Sequence, residues 1–391
     1  MKVEQTFFDQ VLDRKDTRCV KWDAMEQGTP GMLPMWVADM DFRSPVCVQE
    51  ALKARAEHPT YGYTMVMPDD RTAMTDFWAR QHHVQISPES VVMLPGVITG
   101  MRVAIHALTR PGDGIIIQDP VYGPFRDSVQ KTGRKVMHAP LRRNADGYYT
   151  MDLNAVEEQL KQGARMMFLC NPHNPVGRAW SLEEIRELAG LLKQYGAKLV
   201  SDEIHADFVY SPRQHQSALL LGDPEIVMLT AASKTFNLAG LQQACLVCAD
   251  QTQREAMIRD MEEHGTIAGN LFGLEATRAA YQGGDEWLAA LKEYLKENVR
   301  TASDMLRNGL PDSVLSPMEA TYLGWLDLRK WHKSTEELMK VCLDAGVQFT
   351  PGTFFGEEGE GFLRLNLACP RLLMQEGLNR LIQGMRSLGS V

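Results

Sequence analysis

Ser233-Lys234-Thr235-Phe236-Asn237, Ser201-Asp202-Glu203-Ile204-His205 and Asn171-Pro172-His173-Asn174-Pro175-Val176-Gly177 each follow or close a short apolar run. Their key residues, Asn174, Asp202 and Lys234, stand 28 and 32 residues apart, about one strand-helix-strand unit each. This spacing predicts three loops on one rim of an α/β sheet, the rim on which such folds bind ligands.

Working outward, Val91–Leu94, Gly114–Ile117, Lys135–His138, 166–170, 198–201 and 226–230 read as strands alternating with helical patterns. That alternation predicts a mainly parallel sheet covered by helices on both faces. One intervening helix is well marked. Ser181 with Glu184 makes a capping box, Ile185, Leu188, Leu191 and Leu192 form the apolar face, and Gly196 ends it. From Asp285 the pattern changes to a long amphipathic helix reaching Leu306, a strand over 322–328 holding Trp325, a helix over 335–345 and a strand over 362–367. We expect an α/β large domain over 46–284 and a smaller α+β, βαβ-like domain over 285–391. Residues 1–45, rich in Trp, Pro and Met and without a clear period, are expected to form an arm lying across another surface.

The trio has a common chemical meaning. A lysine that carries an aldehyde must be neutral to react, which desolvation or nearby positive charge achieves. A ring that serves as an electron sink needs its pyridine nitrogen kept protonated by a buried carboxylate. A phenolic oxygen that keeps its negative charge needs neutral donors. Lys234, Asp202 and Asn174, with His205 as a second donor, meet these demands, and together they point to pyridoxal phosphate.

Further residues join them. Pro95-Gly96-Val97 lies between a strand and an apolar helical pattern starting at Ile98, so the free N–H groups of that turn suit a phosphate. Tyr122, in Asp119-Pro120-Val121-Tyr122-Gly123-Pro124, either stacks on the ring or packs half-buried. Arg364 interrupts the apolar run Phe362-Leu363-Arg364-Leu365-Asn366-Leu367. It reads as a clamp for a substrate α-carboxylate, the alternative being an edge strand with the arginine facing water.

Composition sets bounds. The chain has 391 residues, 44% apolar and 23% charged, with a net charge of -9. Such a balance fits neither a nucleic-acid surface nor an anionic-membrane surface. Charged residues interrupt the first 21 positions, and no apolar run reaches membrane-span length, so a cytoplasmic protein is expected. Seven scattered cysteines fit reduced thiols. Cys245 and Cys248 have a metal-pair spacing, but no second pair follows and Leu246-Val247 mark a buried strand, so no metal site is expected.

These motifs, together with Leu33-Pro34-Met35-Trp36-Val37-Ala38-Asp39-Met40-Asp41-Phe42, Tyr61-Gly62-Tyr63, Gly356-Glu357-Glu358-Gly359-Glu360-Gly361-Phe362 and Cys369-Pro370, give the chain a resemblance. It resembles fold-type I pyridoxal phosphate enzymes of the class I/II aminotransferase superfamily, and within them the MalY/PatB-type carbon-sulfur lyases. The resemblance implies a homodimer with shared active sites, Tyr63 reaching the cofactor phosphate of the other subunit. It also implies that Tyr122 stacks on the ring, Asn174 and His205 face the phenolic oxygen, Asp202 binds the ring nitrogen and Lys234 holds the aldehyde. Arg364 would hold the substrate carboxylate, with Ala38 and Asp39 lining the pocket. Position 242 is Gln, where aspartate-type aminotransferases carry a phosphate-binding arginine, and position 231 is Ala, where a serine often helps. Phosphate binding then rests on the Gly96, Val97 and Ile98 backbone, Ser233 and Tyr63. The implied activity is β-elimination from L-cystathionine or related S-substituted L-cysteines. The rival readings are an aminotransferase of L-amino acids and a regulatory protein that contacts a transcription factor and retains residual lyase activity.

Overall fold

The computed structural model describes residues 5–25, 31–266 and 269–388; residues 1–4 and 26–30 of the expected arm lie outside the described residues. Seven strands make the larger sheet, in the order Val91–Leu94, Ala244–Cys248, Val227–Thr230, Lys198–Asp202, Ala164–Cys170, Gly114–Ile117, Lys135–His138. Ala244–Cys248 runs antiparallel to both neighbours and the remaining pairings are parallel.

The period of a strand explains the layering. In Ala164–Cys170, Met166, Phe168 and Cys170 point into one apolar cluster, with Met101, Ile105 and Met257 of the helices Val97–Leu108 and Gln251–Glu263. Met167 and Leu169 point the opposite way, into a cluster with Val156 and Leu160 of Leu153–Lys161 and Ile185, Leu188 and Leu192 of Leu182–Gln194. A sheet buried on both faces tolerates near-continuous apolar strands, which is what these sequences are. Helix Leu182–Gln194 opens on the capping box: the Glu184 amide donates to Ser181 Oγ at 3.2 Å and the Ser181 amide to Glu184 Oε2 at 2.8 Å. Gly196, at φ +65°, follows its end.

The C-terminal strands form a separate four-stranded sheet, Val314–Leu315, Leu323–Asp327, Phe362–Asn366, Thr350–Pro351, antiparallel throughout. This corrects the βαβ-like expectation. Leu323–Asp327, helix Thr335–Asp344 and Thr350–Pro351 do run as a crossover, but Phe362–Asn366 returns and inserts between the two strands. The preceding helix, Asp285–Gly309, extends beyond the expected Leu306.

The arm bridges the two sheets. Leu33–Pro34 pairs in parallel with Val347–Gln348. Asn366 Nδ2 donates to the carbonyls of Val37 and Asp39, at 2.5 and 2.6 Å, and Asn237 Nδ2 to those of Met40 and Phe42, at 2.8 and 3.0 Å. Lys21, only 1% exposed, meets Asp41 at 2.5 Å, and Arg14 meets Asp41 and Asp39 at 2.6 and 2.8 Å. A charge buried this deeply costs several kcal/mol unless paired, so the cluster fixes the arm in one position. Among the described residues no helix is long and apolar enough to cross a membrane.

Candidate active site

Strand ends, the arm and the smaller sheet enclose a cavity of about 820 Å³. Asp202 ends the strand Lys198–Asp202, and Asn174 follows the adjacent Ala164–Cys170. Lys234 sits on the single helical turn Ala232–Thr235 directly after Val227–Thr230. These three, with His205, Tyr122, Gly96, Val97, Ile98, Ser233, Ala38 and Arg364, all line this cavity. Two predicted residues do not. Tyr63 is fully exposed, beside Leu271 and Arg278, and Asp39 turns its carboxylate away to Arg14 and Lys21.

The electrostatics follow from burial. Asp202 is 5% exposed; burial, reinforced by Glu203, pushes its carboxyl up to about 7, against the Ile204 amide at 3.1 Å and the charge of Lys234. Burial and then the Arg364 charge bring the Lys234 ammonium down to about 8, while Asp39 and Asp202 oppose the shift. Its Nζ donates to the Ala38 carbonyl at 2.7 Å. His205 is held neutral: burial, then Lys234 and Arg364, press its imidazole down to about 3. Its Nδ1 is buried without a hydrogen-bond partner among the described residues, and its ring stands edge-on to Tyr322. Beneath the lysine, Thr235 Oγ1 donates to Asp207 at 2.5 Å, and His82 Nε2 lies 2.8 Å from the same carboxylate, fixing the turn from below.

Arg364 lies on a strand flanked on both sides and is 3% exposed, so the water-facing alternative is excluded. Nη2 donates to the Trp36 carbonyl at 2.7 Å and to Thr350 Oγ1 at 3.1 Å, Nη1 to Asn174 Oδ1 at 3.4 Å, and Nε has no partner among the described residues. No carboxylate among the described residues pairs with it. Burial lowers its guanidinium to about 10. Tyr122 is half-buried, 6.0 Å between centroids from Phe354. Helix Val97–Leu108 points its N-terminus, with the unsatisfied amides of a first turn, into the same space. Sequence reasoning gave neither Thr350 nor Tyr322 a role at the site. Both act through contacts between distant segments, and neither carries a local signal.

A lysine, a buried acid and an unpaired arginine converging at one rim of a mainly parallel sheet define a site of the fold-type I class, and residues 37–381 match the family model for aminotransferase class I and II. The chain belongs to that family. It is 39% identical to cystathionine beta-lyase PatB of Bacillus subtilis over 383 residues, 96% of this chain and 98% of that protein. Protein MalY of Escherichia coli is 34% identical over 387 residues, 97% of this chain and 99% of that one. Among solved structures, cystalysin from Treponema denticola, which contains a pyridoxal 5'-phosphate cofactor, superposes with a TM-score of 0.94 at 28% identity, covering 97% of this chain and 99% of its own.

Proposed function

We propose that this chain is a pyridoxal phosphate-dependent carbon-sulfur β-lyase that converts L-cystathionine or related S-substituted L-cysteines to pyruvate, ammonia and a thiol. The observation that carries the reading is the cavity in which Lys234, Asp202 and a carboxylate-free Arg364 face one another. The similarity to PatB and MalY favours elimination over amino transfer.

The residues fit the cofactor. Among the described residues, His205 Nδ1 is a buried polar atom without a partner and Asp202 a buried acid with no arginine or lysine salt-bridged to it, and a helix N-terminus opens beside them. Lys234 would hold the aldehyde, Asp202 the ring nitrogen, and Asn174 and His205 the phenolic oxygen, with Tyr122 against the ring. The amides of Gly96, Val97 and Ile98 and the Ser233 side chain would hold the phosphate. When bound, pyridoxal phosphate takes up the electron pair left on the substrate Cα after proton removal.

The protein's own groups do the rest. Arg364 takes the substrate α-carboxylate in bidentate fashion, held in its orientation by the Trp36 carbonyl and Thr350 Oγ1. Lys234, with an ammonium brought down to about 8, is suited to accept the Cα proton near neutral pH. Loss of the thiolate from Cβ then completes the elimination. We further propose a cytoplasmic homodimer in which Tyr63 serves the phosphate of the partner subunit's site. Tyr61, Tyr63, Met65 and Met67, all exposed in the single chain, support such an interface. Pyruvate and thiol released from L-cystathionine without any 2-oxo acid test the reaction.

A further inference from the structure

On the surface away from the cavity, His106, Asp260 and His264 bring two imidazoles and a carboxylate together, their ligand atoms all within 4.8 Å of one another. Asp260 and His264 lie one turn apart at the end of Gln251–Glu263, and His106 comes from the last turn of Val97–Leu108, packed alongside. Asp260 Oδ1 is 3.5 Å from His106 Nδ1 and 3.2 Å from His264 Nδ1. The first separation is long for a hydrogen bond, and His264 Nδ1–H donates to the Asp260 backbone carbonyl at 2.9 Å, which leaves Nε2 of that ring as the nitrogen free for a metal. Two donors bonded to one tetrahedral zinc at about 2.0–2.2 Å stand roughly 3.3–3.5 Å apart, and His106 Nδ1 and Asp260 Oδ1, at 3.5 Å, meet that spacing.

We infer that His106, Asp260 and His264 form a binding site for a borderline divalent cation of the zinc class, with its remaining coordination positions open to water. Two neutral imidazoles and one carboxylate suit such an ion rather than magnesium or calcium, which take oxygen ligands. The ion would clamp two helices, one of which carries the proposed phosphate cradle at its opposite end. The sequence reading, which looked for paired cysteines, expected no metal; Asp260 and His264 are only four residues apart, but His106 comes from another helix some 150 residues away, and no local spacing ties it to them.

The test is zinc titration of the chelator-treated holoenzyme by calorimetry, with cobalt absorbance as a second probe and melting temperature as a third. One zinc per chain is expected, with a melting temperature that rises with zinc concentration. In His264→Ala, at an exposed position, and in His106→Ala, affinity is expected to fall roughly 100-fold, with the zinc-free melting temperature unchanged. No zinc binding by the unsubstituted protein, or the same stoichiometry and affinity in both variants, would overturn the inference.

Discussion

Lys234 Nζ donates to the Ala38 carbonyl at 2.7 Å, joining residues 196 positions apart, and the same oxygen accepts from the Tyr322 hydroxyl at 3.2 Å. The lysine is thus held under the arm, in a setting that lowers its ammonium to about 8. Lys234→Ala is expected to abolish pyruvate formation from L-cystathionine, the loss of the general base alone being worth about 10²–10⁴-fold. Substantial turnover in this variant would remove Lys234 from the reaction.

Asp202 gives a pH signature. With its carboxyl at about 7 against an ordinary value of 3.8, the folded, cofactor-free chain binds this proton more tightly than the unfolded chain. This group therefore lowers stability progressively as pH rises from about 4 to about 7, by an amount on the order of 4 kcal/mol. Cofactor-free Asp202→Asn is expected to be more stable than the unsubstituted protein at pH 8, with the gap narrowing toward pH 5, while the variant loses lyase activity. Urea denaturation across that range measures it, and a variant no more stable at pH 8 would contradict the assignment.

Arg364 is held by Trp36 and Thr350 with no carboxylate of its own. Arg364→Lys keeps the charge and loses the bidentate fork, and is expected to lower kcat/KM roughly 10- to 150-fold, mainly through KM, in line with about 1.5–3 kcal/mol for a charged hydrogen bond. Steady-state kinetics decide this, and an unchanged KM would make Arg364 structural.

Much of this was legible in the sequence, for identifiable reasons. Strands such as Val91–Leu94 and Gly114–Ile117 fall on their expected bounds because strands buried on both faces are uninterrupted apolar runs. Asn174, Asp202 and Lys234 share a cavity because strand-end spacing in α/β units repeats. What escaped reading depends on contacts between distant segments. Lys21 and Arg14 look like ordinary surface charges, yet they are paired with Asp39 and Asp41 only once the arm folds back. The insertion of Phe362–Asn366 between two parallel strands is likewise a choice of pairing, which the strand's own sequence does not encode.

Tyr63 stands clear of the cavity of its own chain. If it serves a partner's site, co-expressed Tyr63→Phe and Lys234→Ala chains form heterodimers in which one of the two sites retains both native residues. Activity well above that of either variant alone is expected from such a mixture. No gain over the separate variants, with heterodimers demonstrated by tag capture, would remove Tyr63 from the shared site.

Elimination from a sulfur-bearing amino acid is tested by incubating the purified protein with L-cystathionine in the absence of any 2-oxo acid and assaying pyruvate and free thiol together. Pyruvate and thiol are expected in equal amounts over many turnovers. Absence of pyruvate, with conversion of the cofactor to its pyridoxamine form and reversal by a 2-oxo acid, would contradict it and make the protein an aminotransferase.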